Sequence, residues 1–198
     1  MDIIIVNDFG YVNGGAANVA ISEALELSMR NYRVTFFCGV GPIDPRLTKS
    51  NVKTICLNQA DILTNPSRLH AATTGIWNRN ARRVFSDLLD THDINNTIIH
   101  VHAFAKSLSS SIIYEAQKRG FKVVFHIHDY GLACPNMGFY NYQKHQICQL
   151  KPLSIKCLVT NCDSRKYSHK IWRSVRQYVQ KYITKFPNNT PYFIALSP

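Results

Sequence analysis

Apolar residues recur along the chain in two alternating rhythms. Short runs such as "DIIIVN", "RVTFFCG", "NVKTICL", "TIIHVH" and "FKVVFHIH" are apolar at most positions and β-branched or aromatic in character. Runs of that length and composition predict strands buried on both faces. Between them lie stretches with helical spacing. "AANVAISEALELSMRN" predicts a helix with Asn31 near its C-cap, and "SLSSSIIYEAQKRG" one closed by Gly120. A longer helix is expected from Asn65-Pro66, with apolar positions Leu69, Ala72, Ile76, Val84, Phe85, Leu88 and Leu89. "GVGPIDPRLTKS" reads as loop from its Gly and Pro content. Strands alternating with helices predict an α/β fold, a parallel sheet with helices on both faces. Residues 131–163 break the rhythm and carry four cysteines. A basic amphipathic helix is expected from about Ser164 to Phe186, then a last short strand, "YFIALS".

Charge changes this picture in one respect. The net charge is +11, and residues 130–198 hold ten Lys/Arg against one acid, Asp163. Residues 1–129 are near balance, with 13 Lys/Arg and 11 Asp/Glu. The basic C-terminal third points to an anionic partner: phospholipid, nucleic acid or a phosphorylated substrate. The N-terminus lacks the basic and long apolar regions of a signal peptide, and no run is long enough to span a membrane. The expected compartment is the cytoplasm, where six cysteines are thiols or metal ligands rather than disulfides.

In an open α/β sheet, ligands bind at the carboxyl ends of the strands. Asn7, Asp8, Gly14 and Gly15 fall there, as do His100 and His102, then His126, His128 and Asp129. The Gly14-Gly15 pair opens a helix, so its amides can receive a phosphate or sugar oxygen, or simply make a tight turn. His100/His102 and His126/His128 each share one face of a strand, a pattern open to metal binding, to substrate contact or to a structural role. Cys134, Cys148, Cys157 and Cys162 are candidate ligands of a structural Zn²⁺, with packed free thiols as the alternative. Cys38 and Cys56 are expected in the core. In the basic helix, Ile171, Trp172, Val175, Tyr178, Val179, Tyr182, Ile183 and Phe186 share one stripe, with Lys170, Arg173, Lys181 and Lys185 mostly off it. Such a helix lies on an anionic membrane or packs on its own domain with a solvated basic face.

The order of these features resembles the N-terminal half of a GT-B glycosyltransferase, of the retaining family-four group that includes bacterial lipopolysaccharide and capsule enzymes. "NGGAANVAISEALELSMRNYRVTFFCG" is similar to the family's opening glycine loop, helix and second strand. "IIHVHAFAKSLSSSIIYEAQKRGFKVVFHIHDYGLACPN" is similar to its fourth strand, following helix and H-D-Y loop. "GFYNYQKHQICQLKPLSIKCLVTNCDSRKYSHKIWRSVRQ" resembles one subgroup's insertion. The resemblance implies a single Rossmann-like, acceptor-side domain over residues 1–198, with the donor-binding domain absent and the isolated domain inactive. It implies catalytic roles for His128 and Asp129, with Gly14, Gly15, Tyr130 and His102 contacting substrate. No metal is then needed for catalysis, and any Zn²⁺ on the cysteines is structural. The implied partners are a nucleotide-sugar donor, a saccharide or lipid-linked acceptor and an anionic membrane surface at the inner face of the cell membrane, with no nucleic acid. Two other readings stand beside it: a metal-dependent hydrolase using the paired histidines, and a four-cysteine zinc module that binds nucleic acid.

Overall fold

The computed structural model describes residues 1–190 and 192–195. In chain order the strands are β1 (Asp2–Phe9), β2 (Arg33–Val40), β3 (Lys53–Cys56), β4 (Thr97–Val101), β5 (Lys122–Ile127), β6 (Tyr140–Asn141), β7 (Gln146–Ile147) and β8 (Tyr192–Ala195). The helices are α1 (Gly15–Met29), α2 (Pro45–Thr48), α3 (Arg68–Ile76), α4 (Arg79–Leu89), α5 (Ser111–Lys118), α6 (Ile155–Val159) and α7 (Tyr167–Tyr178). Six strands form one parallel sheet in the order β3-β2-β1-β4-β5-β8. This is the doubly wound Rossmann order, in which the chain steps outward from β1 first one way and then the other.

Side-chain alternation along the strands explains the two layers. Ile3 and Ile5 of β1 pack with Val34 and Phe36 against Ala20, Ile21 and Ala24 of α1. Ile4 and Val6 face the other way, into a core completed by Phe85 and Leu89 of α4 and Ile112, Ile113 and Ala116 of α5. Both faces are apolar because both are covered. Cys38 and Cys56 are cross-strand neighbours on β2 and β3, the first buried and the second half-buried against the α1-side core.

Local chemistry shifts several boundaries. The helix expected from Asn65-Pro66 starts instead at Arg68, because Ser67 caps it, its Oγ accepting from His70 N at 3.3 Å. It then breaks at Trp77-Asn78, where the Asn78 side chain caps α4 by accepting from Ala81 N at 2.9 Å. The break resets the helical phase, so Leu69 is 83% exposed although Phe85, Leu88 and Leu89 are buried. The loop after β2 contains the one-turn α2, capped by Asp44 and anchored by buried Leu47. Asn31 and Gly120 take left-handed conformations just past α1 and α5, as their residue types favour.

The largest difference concerns α7. It runs Tyr167–Tyr178 and continues through a π turn, Val179–Ile183. Its buried residues are Lys170, Ser174 and Gln177, followed by Gln180, whereas Ile171, Val175, Tyr178, Tyr182 and Ile183 are exposed. Of the apolar stripe, Trp172 packs beneath Gly75 and Phe186 onto Phe104 and Phe125. The polar face turns in because it meets loops, whose carbonyl groups need donors. Gln177 Nε2 donates to Leu132 O at 2.7 Å, and Arg176 to Ala105 O at 3.0 Å. Arg173 pairs with the buried Asp163 at 2.8 Å. Residues 131–163 form the β6–β7 hairpin and α6. The last strand covers Tyr192–Ala195 of the expected "YFIALS"; Leu196 and Ser197 lie outside the described residues.

Candidate active-site cleft

Wherever strand order reverses, the loops leaving two neighbouring strands diverge and open a crevice. Here the reversal lies between β1 and β4. A cavity of about 200 Å³ opens there, lined by Asn7 and Asp8 from β1, Gly14 and Gly15 at the start of α1, and His102 beyond β4. His128 and Asp129 close it from β5, with Lys106 and Arg176 at its wall.

Two of these groups build the walls. The Asp8 carboxylate accepts from Lys106 N (2.9 Å), Ser107 N (2.7 Å), Leu108 N (3.2 Å) and Ser107 Oγ (2.9 Å). It fastens the loop after β4 to the end of β1. Burial pushes its pKa up, against the pull of those donors. Asn7 Nδ2 donates to Phe9 O at 2.8 Å and shapes the turn out of β1.

The Gly14-Gly15 turn is different. No side chain caps α1, and no acid stands in its first turn. The first amides of a helix lack intrahelical partners and carry the positive end of its dipole. A Cβ placed on either glycine would meet nothing within 4 Å. Neither glycine is therefore demanded by the packing of this chain; each leaves room for something to approach the amides closely.

His128 is half-buried, with Nε2 at 3.1 Å from His102 Nδ1. Burial, then the neighbouring His126, His102 and His100, push its pKa down to about 4. It is a neutral imidazole at neutral pH, able to hydrogen-bond a hydroxyl without adding charge. Asp129 stands at the rim and caps the turn Tyr130–Leu132, accepting from Gly131 N at 2.7 Å. Arg176 lies over the Trp172 ring at 5.1 Å. Burial and the nearby Arg173 push its pKa down to about 10, which leaves it cationic at neutral pH.

The structure thus brings together Gly14, Gly15, His102, His128 and Asp129. Tyr130 stays outside the cavity wall, 62% exposed, with its ring edge-on to Phe139 at 5.5 Å. Cys134, Cys148, Cys157 and Cys162 are free thiols that do not converge on a metal-ligating set. Instead the buried Lys170 ammonium donates to Cys162 Sγ at 3.0 Å and Cys157 Sγ at 3.4 Å. A cation already occupies the space between those sulfurs, and Lys170 is correspondingly not part of a solvated basic face. Sequence reasoning missed Lys106 and Arg176. The spacing held a clue to Arg176, which follows the inward Trp172 by one helical turn.

Among the described residues, one group of His, Cys, Asp or Glu has the convergence a metal requires: Glu23, His100, His102 and His126. Glu23 reaches it from α1. Burial alone would raise the Glu23 pKa, but the hydrogen bonds to His100 and His102 hold it down to about 2.

No protein-family model and no curated protein matches the chain. Solved structures do. LpCGTa in complex with UDP aligns over 100% of this chain at 11% identity, with a TM-score of 0.49. UGT71G1 of Medicago truncatula, complexed with UDP-glucose, aligns over 100% at 13% identity and a TM-score of 0.49. MurG of Acinetobacter baumannii aligns over 75% at 15% identity and a TM-score of 0.41. The chain spans 52%, 51% and 40% of the length of those three proteins, respectively.

Proposed function

We propose that this chain is the acceptor-side domain of a glycosyltransferase. It serves transfer of a sugar from a nucleotide-sugar donor to a saccharide or lipid-linked saccharide, in the making of cell-surface polysaccharide or lipopolysaccharide. The observation that carries this reading is the uncapped start of α1. Its free amides and two open glycines face a cleft that also holds Arg176, Lys106 and a neutral His128. Such a cleft suits a diphosphate oxygen at the helix start and sugar hydroxyls beside the imidazole. His128 orients the transferred sugar, and Asp129 shapes the rim of its pocket. The order of motifs along the chain supports the narrower reading of a retaining, family-four-like enzyme. In that reading the donor's main contacts come from a second domain, so the domain alone binds weakly and turns over nothing.

The test is a titration of the ¹⁵N-labelled chain with nucleoside diphosphates, uridine diphosphate first. The amides of Gly14 to Ala17 should shift saturably at millimolar ligand. Gly15→Ala, which meets no atom of its own chain, should leave the melting temperature unchanged and weaken binding about tenfold, or about 1.4 kcal/mol. Amides at the start of α1 that stay still across the whole panel would rule the reading out.

A second role rests on α7. Its exposed Ile171, Val175, Tyr178, Tyr182 and Ile183, beside Lys181 and Lys185, suit an anionic membrane surface. No helix among the described residues is long and apolar enough to cross a membrane; in the proposed reading α7 makes a peripheral contact at the inner face of the cell membrane.

A further inference from the structure

Behind the cleft wall lies a cluster of polar side chains of which only His102 reaches the cleft. Where α1 crosses the sheet, Glu23 meets His100 on β4, His102 just beyond it, and His126 on β5. One ligand atom from each of the four lies within 4.8 Å of every other. The three imidazoles are buried, His126 at 6% exposure. Glu23 addresses two of them, with Oε1 at 2.5 Å from His100 Nδ1 and Oε2 at 3.3 Å from His102 Nε2. The His100 and His126 rings stack in parallel, centroids 5.6 Å apart.

The polar atoms of this cluster are not satisfied by the chain. Both nitrogens of His126 and Nε2 of His100 lack hydrogen-bond partners, and Nε2 of His102 has only the Glu23 oxygen at 3.3 Å. Buried polar groups are otherwise almost always partnered. The hydrogen bond between His100 and Glu23 accounts for one contact but leaves His126 with a donor and an acceptor unmet. A cation at the centre gives the orphaned lone pairs a common partner. Three imidazoles and a carboxylate are the ligand chemistry of divalent transition metals. Metal bonds of about 2.0–2.1 Å in a tetrahedron set ligand atoms roughly 3.3 Å apart, the separation of Glu23 Oε2 and His102 Nε2.

We propose that Glu23, His100, His102 and His126 bind one divalent transition-metal ion that ties α1 to β4 and β5. His128 completes the arrangement from outside. With Nε2 of His102 on the ion, its Nδ1 carries the ring proton and donates to His128 Nε2, 3.1 Å away. Outer contacts of this kind fix the tautomer and orientation of a ligating histidine. Here the same bond fixes the tautomer of His128 at the cleft. The ion is a positioning element; of its ligands, only His102 reaches the cavity wall. The site does not depend on sugar transfer and stands or falls separately.

The experiment is addition of Co²⁺ alone to the metal-stripped full chain, followed by visible absorption and equilibrium dialysis. One equivalent should bind, with the ligand-field bands of a nitrogen and oxygen site and no sulfur-to-cobalt charge transfer. Glu23→Gln, at a half-exposed helix position, should weaken binding roughly 10- to 100-fold or more, since even outer-shell changes reach that range. His126→Ala should abolish binding, and Cys157→Ser should leave it intact. If His126→Ala does not fold, Glu23→Gln still decides the matter. Substoichiometric binding, binding indifferent to Glu23→Gln, or a charge-transfer band lost in Cys157→Ser would each overturn the proposal, the last by moving the ion to the cysteines.

Discussion

Asp8 shows how one buried carboxylate builds a site without acting in it. Its position at a strand end gave it the same standing in the sequence as Asn7, His102 or Asp129. Only the packing reveals that three backbone amides and a hydroxyl already consume its acceptor capacity. Gly39 shows how tightly that knot is drawn, because a Cβ there would run into the Ser107 hydroxyl. Removing the carboxylate orphans several buried donors at once, each costing about 1–3 kcal/mol. Asp8→Ala should therefore lower unfolding stability by about 3 kcal/mol or more, and Asp8→Asn, which keeps one acceptor oxygen, by roughly half as much. Urea unfolding checks this through a fall in midpoint at unchanged slope. A loss below about 1 kcal/mol in Asp8→Ala would show that the loop finds other partners.

At the scale of elements, periodicity found the strands and most helices, because an all-apolar run of strand length has few alternatives. It also placed the glycine turn and His128 at strand ends that do meet in one cleft. It failed where a helix packs on loops instead of a sheet. The rule that the apolar stripe faces inward assumes an apolar neighbour, but α7 meets carbonyl groups and thiols and so buries Lys170, Ser174 and Gln177. Glu23 was out of reach for another reason: it meets His100 across 77 positions of sequence, and no local spacing records such a contact. The outward stripe of α7 yields a prediction. On vesicles of phosphatidylcholine with phosphatidylglycerol, Lys181→Gln with Lys185→Gln should weaken sedimentation about 30-fold, near 1 kcal/mol for each charge near the surface. Val175→Ser with Ile183→Ser should weaken it further, whereas Lys170→Gln should act through folding, not through lipid. Equal binding to neutral and anionic vesicles would remove the electrostatic part.

For the molecule as a whole, the uneven charge makes stability depend on a few acids. Ten of the 23 Lys/Arg lie in residues 130–198 beside a single acid, whereas in residues 1–129 acids are available to pair the basic groups and tie the helical layer together. Glu115 on α5 is the clearest case. It accepts from Arg82 on α4 at 2.7 Å and from Arg119 at 2.9 Å while its own side chain is 8% exposed. Burial favours its neutral form, but the hydrogen bonds and charges of the two arginines prevail and hold its pKa below the ordinary 4.5. A carboxylate whose folded pKa is depressed stabilises the fold above its unfolded value, and that contribution disappears as pH falls through the folded value. Asp2, lowered chiefly by its hydrogen bond to Arg33 at the start of β1, has the same sign. Stability should accordingly hold above the ordinary carboxylate range and decline below pH 4.5, where the unfolded chain takes up protons first. Glu115→Gln should cost about 1 kcal/mol at neutral pH, allowing for solvent screening of the exposed arginine ends. It should also flatten the decline in acid, because the variant has no proton to take up at that site. Thermal melts of both forms from neutral pH down to acid decide the point. Parallel curves, offset by a constant amount at every pH, would mean that the α4–α5 pairing contributes no proton linkage and that acid unfolding begins elsewhere.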